Sequence, residues 1–311
     1  FEVIKNIGSD KGYDVDFFDS GENIRKIKDI DIEIAAQKAS DVDYAIVVVG
    51  DNSMRYRWKD KTAGENMGRA ALDLPGKQLK LVKALEATGT PVIVVLVNGR
   101  PISEPWLEDN IPAILEAWEP GSLGGRAVAE ILFGDINPSG KLPLTVARDV
   151  GQLRMIYNHK PSAYFHKYAF EKITPLYPFG FGLSYTTFKY SVPQLSESVL
   201  SPNGSVSVSV QVRNTGNFDG EEVVQMYIRD QISSATRPVK ELKEYKRIFI
   251  KKGESKKVSF EIEKETLAFY DSNMNYCVEP GDFTIMIGSS SDKRDLKFTT
   301  LSVNTKFNVD E

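Results

Sequence analysis

Three short runs of apolar residues constrain the fold of this chain more than any other feature of its sequence. Continuous rather than alternating apolar residues are typical of strands that are buried on both faces of a parallel sheet. Helical patterns separate the runs, and strand–helix alternation at this spacing predicts parallel βαβ units with right-handed crossovers in a three-layer sandwich. The predicted strands are Tyr44–Val49, Val92–Val97 and Ala113–Trp118, and the helical patterns cover Ile32–Ser40, Gly76–Thr88 and Leu123–Phe133.

The two ends of this α/β region carry weaker signals. Residues Phe1–Ile7 show an amphipathic helical pattern, and a strand is predicted at Tyr13–Phe18. Because the chain opens within such a pattern, we expect that a segment upstream of Phe1 is missing. From Asp149 to about Pro178 the sequence has no clear period, and we predict an ordered surface connection there.

Beyond Ser184 the sequence changes to the two-residue period of strands. Val206, Val208, Val210 and Val212 alternate with polar residues, as in a half-buried strand. Short strands separated by turn signals, without the Cys…Trp…Cys pattern of antibody domains, predict a fibronectin type III-like β-sandwich. The expected domains are residues 1–183, with 149–183 as the connection, and residues 184–311. Further strands are predicted at Glu222–Arg229, Tyr245–Ile250, Lys257–Ile262, Phe283–Gly288 and Leu296–Leu301.

Composition excludes several classes of function. A formal net charge of −4 provides no basic surface for nucleic acid or an anionic membrane. No apolar run approaches the roughly 20 residues that a membrane-spanning helix needs. Cys277 is the only cysteine, so no intrachain disulfide can form. His159 and His166 lack the paired spacing of a metal site, and we therefore expect neither a metal nor a cofactor.

A glycine-flanked loop between the first predicted strand and the next helix contains the strongest candidate for chemistry. The loop carries Glu65, and the helix is predicted to start near Pro75, a residue suited to a first helical turn. Open α/β sheets bind ligands outside the carboxyl ends of their strands, where such loops lie. The sequence therefore predicts that Glu65 is an acid at the functional edge of the first domain.

Short motifs follow one another along almost the whole chain. They are Val47–Asp51 (VVVGD), Gly64–Glu65, Leu72–Gln78 (LDLPGKQ), Val95–Pro101 (VLVNGRP), Ala117–Gly121 (AWEPG), Gly124–Asp135 (GGRAVAEILFGD), Asn137–Pro143 (NPSGKLP), Tyr157–Lys160 (YNHK) and Leu176–Phe188 (LYPFGFGLSYTTF). In this order they resemble the C-terminal part of a glycoside hydrolase family 3 enzyme of the β-glucosidase or β-xylosidase type.

The resemblance implies an (α/β)6 sandwich followed by a fibronectin type III-like domain. The family's N-terminal (β/α)8 barrel, with its nucleophilic aspartate, matches no segment of this chain, so that barrel is the implied partner. Retaining glycosidases use two carboxyl groups roughly 5–5.5 Å apart, a nucleophile and a general acid/base. The resemblance assigns the general acid/base to Glu65. Terminal β-D-glucosyl residues of oligosaccharides or aryl glycosides are the implied substrates, with β-xylosides second, and a periplasmic or secreted location is favoured.

Residues near Glu65 are candidates for binding substrate. Trp58 is placed to stack on a sugar ring, although an aromatic that anchors the loop would look the same. Arg57 and Arg69 could bond sugar hydroxyls or pair with Glu65, and surface salt bridges are the alternative. Asn52 is a further substrate-binding candidate, and together with Asp51 it could orient the loop at the strand end. Asp73 is expected to help start the following helix.

Two other classes of function stay open at this point. The family-like segments could serve only packing in a non-catalytic carbohydrate-binding or scaffold fragment. A flavodoxin-like nucleotide binder is disfavoured, because the glycine-rich loop at residues 120–125 lacks the Lys-Ser/Thr ending of a phosphate-binding loop.

Overall fold

The computed structural model describes residues 1–21, 23–53, 59–152, 154–161 and 167–309, which form two compact units. The first unit consists of Phe1–Ile136 and Val146–Arg154, and the second of Asn137–Thr145 and Met155–Glu311. The chain therefore passes from one unit to the other at residues 136/137, 145/146 and 154/155. The predicted domain boundary between residues 183 and 184 stays a prediction.

The first unit is built around a parallel sheet, as the strand–helix alternation predicts. Its described residues contribute three strands in the order β1-β2-β3, with helices α3 and α4 in the two connections. The second strand has its predicted bounds, and the first is displaced by one residue. No helix in the described part of the chain is long and apolar enough to cross a membrane. The elements are α1 (Glu2–Asp10), α2 (Asp29–Ala39), β1 (Ala45–Gly50), α3 (Gln78–Glu86), β2 (Val92–Val97), α4 (Pro105–Asn110), β3 (Ala113–Glu116) and α5 (Gly124–Leu132).

One face of this sheet holds the core of the first unit. Alternate side chains of β1 and β2, such as Val47 and Val94, pack in one buried cluster with apolar residues of α2, α3 and α4. The other face of β1 is more open, because Ile46 and Val48 are 37% and 58% exposed. Helices α1 and α5 pack on each other. They meet closely, since a Cβ atom on Gly8 of α1 would lie 3.0 Å from the ring of Phe133.

Two local predictions in this unit are wrong. Residues Tyr13–Phe18 do not form a strand, and none of the described strands pairs with them. Tyr13 and Phe17 are more than half exposed, so this segment gains neither a hydrogen-bonded ladder nor burial. Helix α3 begins at Gln78 rather than near Pro75, because Gly76 takes a left-handed conformation with φ of 69°. A turn at that residue separates Pro75 from the helix.

The second unit is a sandwich of antiparallel strands. A four-stranded sheet has the order β13-β12-β7-β8, and a second sheet contains β4, β5, β6 and β9. The six strands that the sequence predicts are all present, each somewhat longer than predicted on at least one side. The elements are β4 (Phe188–Tyr190), β5 (Gln194–Leu195), β6 (Val206–Asn214), β7 (Gly220–Asp230), β8 (Glu241–Ile250), β9 (Ser255–Ile262), α6 (Lys264–Leu267), β10 (Phe269–Tyr270), β11 (Tyr276–Val278), β12 (Gly281–Gly288), β13 (Leu296–Val303) and β14 (Phe307–Asn308).

Alternation along the strands fills the core of the sandwich. The four alternating valines of β6 are buried, and they pack in one cluster with Ile285, Ile287 and other residues of β7, β9 and β12. On the outer face of the β13-β12-β7-β8 sheet, Tyr157 and Phe179 stack with ring centroids 4.2 Å apart, and Tyr157 meets Tyr227 edge-on. Part of the predicted surface connection therefore packs as a layer of the second unit.

Candidate active site

The carboxyl ends of the three parallel strands bring several polar segments to one edge of the first unit. Asp51–Ser53 follow β1, Asn98–Arg100 follow β2, and Trp118–Glu119 come shortly after β3. The strands are in register at this edge, where Gly50 pairs with Val97 and Leu96 with Glu116. Ligand sites of open α/β sheets lie at this edge, so these segments define the candidate site.

A buried carboxylate, Asp51, lies at the centre of this edge. Its side chain has no exposed surface, and its Oδ1 accepts hydrogen bonds from Thr62 Oγ1 at 3.0 Å and Arg69 Nη1 at 3.1 Å. Arg100 Nε lies 2.7 Å from Oδ2, in the geometry of an ion pair rather than of an aligned hydrogen bond. Burial lowers the pKa of the Arg100 guanidinium, although the neighbouring Asp51 carboxylate opposes that shift. The two guanidinium groups compensate the cost of burying this charge.

The loop that carries Glu65 is attached to Asp51 at both of its ends. At one end, Thr62 bonds Asp51, and its backbone N–H donates to the carbonyl of Asn52 at 2.9 Å. At the other end, Arg69 donates to Asp51. As the sequence suggested for the strand end, Asp51 and Asn52 both bond this loop.

The tip of the loop is a tight turn that exposes Glu65. Lys61 is only 1% exposed, and its Nζ donates to the backbone carbonyl of Glu65 at 2.8 Å. Gly64 has a φ of 97° and Asn66 a φ of 59°, conformations that favour glycine and asparagine. The N–H of Met67 closes the turn on the carbonyl of Gly64 at 2.9 Å. The backbone of Glu65 is thus fixed, while the residue itself is exposed.

The other predicted site residues have mixed outcomes. Trp58 and Arg57 lie outside the described residues. Arg69 is largely buried and bonds both Asp51 and Asp73, so its contacts in this structure hold the loop. The side chain of Asn52 donates to the carbonyl of Asp60 at 3.4 Å. The substrate-binding roles of these residues, like the acid/base role of Glu65, stay predictions.

The prediction that Asp73 helps to start the following helix is wrong. Its carboxylate accepts a hydrogen bond from Arg69 Nη2 at 2.9 Å. Helix α3 begins at Gln78 with Lys77 as its N-cap residue, so Asp73 is too far from the first turn to bond its N–H groups. Instead, Gln78 fixes the start of the helix, because its Oε1 accepts from the N–H of Gly50 and its Nε2 donates to the carbonyl of Gly50, both at 2.8 Å.

Sequence reasoning missed a second group of polar residues at this edge, around the end of β3. Burial raises the pKa of Glu116 from 4.5 to about 7, although hydrogen bonds from the Trp118 N–H and Asn98 Nδ2 oppose the shift. Glu119 is exposed and accepts a hydrogen bond from Ser53 Oγ. The available signal was Glu116 itself, a charged residue inside an apolar run that was interpreted only as a buried strand.

Comparison with known proteins decides the family. Residues 3–185 match the family model described as the glycosyl hydrolase family 3 C-terminal domain. The chain belongs to glycosyl hydrolase family 3. Residues 222–291 match the fibronectin type III-like domain. The resemblance drawn from the motifs is therefore confirmed, and so is the fold class, α/β followed by all-β.

Relatives named as a β-xylosidase and a β-glucosidase match this chain along most of its length. A β-xylosidase from Formosa agariphila is 47% identical over 296 residues, which are 94% of this chain and 39% of that protein. A periplasmic β-glucosidase from Salmonella typhimurium is 42% identical over 300 residues, or 92% of this chain and 38% of the relative. The chain thus spans about two fifths of the length of these relatives.

Solved structures of β-glucosidases have the same fold. A β-glucosidase from Erythrobacter marinus superposes with a TM-score of 0.88 at 37% identity, covering 97% of this chain and 42% of that one. A β-glucosidase from Listeria innocua in complex with glucose gives a TM-score of 0.83 at 31% identity, covering 90% and 39% of the two chains. These proteins are named as glycosidases, and they support a glycosidase function for family members of this kind.

Proposed function

We propose that this chain forms the C-terminal domains of an exo-acting retaining β-glycosidase that removes terminal non-reducing β-D-glucosyl residues. In this proposal Glu65 is the general acid/base, and an aspartate on an upstream (β/α)8 barrel is the nucleophile. The substrates are β-glucoside oligosaccharides or aryl glycosides. Asn52, Arg57, Trp58 and Arg69 contribute to substrate binding on the leaving-group side.

The observation that carries the proposal is the attachment of the Glu65 loop to the buried carboxylate of Asp51. Both ends of the loop bond Asp51, and Lys61 holds the backbone of Glu65 itself. A general acid must meet the departing oxygen within hydrogen-bond reach, so its backbone must be fixed while its carboxyl group stays accessible. The loop has both properties, and it lies at the edge of the sheet where ligands bind.

Each chemical step assigns one task to Glu65. As the aspartate attacks the anomeric carbon, Glu65 donates its proton to the glycosidic oxygen, and the leaving group departs as an alcohol. The sugar is then bound covalently to the aspartate. Glu65, now a carboxylate, accepts a proton from a water molecule that attacks the same carbon and releases the sugar with its original configuration.

Two alternatives concern what the site does. A β-xylosidase is favoured by the Formosa agariphila relative, which is named as one. The name of the Salmonella relative, a periplasmic β-glucosidase, supports the glucosidase assignment and a periplasmic or secreted location. A non-catalytic carbohydrate-binding or scaffold fragment is the remaining possibility, and the experiments below separate it from the enzyme.

The decisive experiment is Glu65→Ala in the full-length gene product. The variant should hydrolyse a disaccharide, which has a poor leaving group, much more slowly than the wild type. The first step with an activated aryl glucoside, which forms the glycosyl-enzyme, should slow less, because its leaving group departs without a proton from Glu65. Azide should restore turnover and yield a glycosyl azide, since it replaces the water that Glu65 would activate. Glu86→Ala, at the opposite edge of the sheet, is the matched control.

Unchanged hydrolysis of the disaccharide by Glu65→Ala would place the acid elsewhere. Glu104 is the next carboxyl group to test, because burial raises its pKa. Asp60 follows, and its carboxylate accepts a hydrogen bond from Asn23 Nδ2 at 2.6 Å.

A second experiment tests the divided site. The 311-residue chain alone should fold and hydrolyse no glycoside, because a lone acid cannot form the covalent intermediate of a retaining mechanism. Adding the barrel as a separate polypeptide should restore some activity. Robust β-glucosidase activity of the purified chain by itself would show that the nucleophile lies within these residues.

A further inference from the structure

A strained turn follows β3 at the same edge as Glu65. Trp118 has a φ of 51°, a left-handed conformation that is a clear outlier for a bulky side chain. The turn is held on both sides of this residue. The Trp118 N–H donates to Glu116 Oε1 at 3.0 Å, and the Trp118 carbonyl accepts from the N–H of Asn98 at 3.1 Å. Strain of this kind persists only where the surroundings fix it, and such positions cluster at functional sites.

The turn presents the carboxylate of Glu119 beside the Glu65 loop. Glu119 Oε1 accepts a hydrogen bond from Ser53 Oγ. A Cβ atom placed on Gly64, the residue before Glu65, would lie 3.2 Å from Cβ of Ser53, so the Ser53 side chain lies between Gly64 and Glu119. The carboxylate also lies over the backbone after β2, since a Cβ atom on Gly99 would be 3.0 Å from Glu119 Oε1. A side chain at residue 99 would therefore crowd the carboxylate in its present position.

We infer that Glu119 is a sugar-binding residue that accepts hydrogen bonds from the hydroxyl groups of the leaving-group sugar. The inference rests on the proposed function, because Glu65 marks the position of the cleaved bond. A carboxylate has two oxygens and about four acceptor sites, so one bond from Ser53 leaves capacity for two adjacent hydroxyl groups of a pyranose. Glu119 is exposed at this edge, and its backbone is held by the strained turn.

The inference has a distinct kinetic signature in the full-length enzyme. Glu119→Gln keeps the shape of the side chain but removes the charge, and it should raise KM for a disaccharide about tenfold or more, as expected for the loss of charge-assisted hydrogen bonds. KM for a nitrophenyl glucoside should change less than about twofold, because that leaving group offers no sugar hydroxyls. Glu86→Gln at the opposite edge of the sheet should change neither value. Equal changes for both substrates, or no change for the disaccharide, would overturn the inference.

Direct binding separates this inference from the assignment of Glu65. Calorimetric titration with thiocellobiose, whose sulfur link resists hydrolysis, measures recognition of both sugars without turnover. Glu119→Gln should raise its Kd about tenfold while leaving the affinity for glucose unchanged. If Glu65→Ala leaves catalysis intact but Glu119→Gln weakens thiocellobiose, the acid assignment fails and the sugar site stands. If Kd is unchanged by Glu119→Gln, or the wild-type protein does not bind thiocellobiose, the sugar site fails.

Discussion

The partly buried carboxyl group of Glu116 leads to a quantitative prediction about the pH dependence of stability. Its pKa is about 7 in the folded protein against an ordinary value of 4.5, with burial as the main cause. The folded chain therefore binds more protons than the unfolded chain between these pH values. The free energy of unfolding must fall as pH rises through that window. Each pKa unit corresponds to about 1.4 kcal/mol, so above pH 8 the charged Glu116 should lower the free energy of unfolding by about 3 kcal/mol.

Glu116→Gln removes this titration while keeping a similar shape. The variant loses some hydrogen-bond energy at every pH. The change with pH in the difference between the unfolding free energies of variant and wild type therefore isolates the contribution of Glu116 titration. Relative to wild type, the variant should gain up to about 3 kcal/mol in free energy of unfolding between pH 4 and pH 8. Urea denaturation at a series of pH values measures this quantity. Tryptophan fluorescence is a suitable probe, because all three tryptophans lie in the first 136 residues.

A matched control shows whether the effect belongs to the buried site. Glu86→Gln changes an exposed carboxylate at the end of α3. Its difference from wild type in free energy of unfolding should vary by less than about 0.5 kcal/mol over the same pH range. A difference in unfolding free energy between Glu116→Gln and wild type that does not change with pH would refute the reasoning. So would a difference of opposite sign, because it would mean that the folded site prefers the charged form.

Two further predictions concern the partners of buried carboxylates. Asp51→Ala leaves the guanidinium groups of Arg69 and Arg100 without their shared carboxylate, and it should lower the free energy of unfolding by about 3–5 kcal/mol in urea denaturation. Thr62→Val removes one hydrogen bond to Asp51 and should lower it by only about 1 kcal/mol. Equal losses for the two variants would contradict the central role of Asp51. In the second unit, Tyr190→Phe removes the 2.7 Å hydrogen bond to Glu222 Oε1 and should lower the free energy of unfolding by about 1.5–3 kcal/mol, measured by calorimetry. A decrease below about 0.5 kcal/mol would show that Lys141 alone satisfies the Glu222 carboxylate.

The sequence predicted the regular elements because their periods are local properties. The bounds of β2 follow directly from its continuous apolar run, and the alternating valines of β6 are buried as the period of two requires. Helix α4 was missed although Pro105 at its first position is a usual start signal, because six residues are too few to display a helical period. The strand expected at Tyr13–Phe18 failed for the opposite reason, since a strand needs a partner that local sequence cannot specify.

The candidate site depends on contacts that no local pattern contains. Glu65 was predicted from its glycine-flanked loop and from family motifs, and the structure places it at the expected edge of the sheet. The contacts of Asp51 join the connection between β1 and α3, which holds Thr62 and Arg69, to Arg100 in the connection after β2. The raised pKa of Glu116 comes from the burial of its carboxyl group in the fold. A φ of 51° at Trp118 has no sequence signature either, because bulky residues rarely adopt it.

The three passages of the chain between the two units restrict how the protein can be divided. A fragment that ends at Ile136 would lack residues 146–154, including the buried Val146 and the guanidinium of Arg148, which bonds Glu108 at 3.0 Å. A fragment that begins at Met155 would lack Lys141, which bonds the carbonyl of Gly182 at 2.9 Å and pairs with Glu222. No single cut therefore yields two intact halves. Gene fusions and domain exchanges must therefore keep the two units together, even though each has a hydrophobic core of its own.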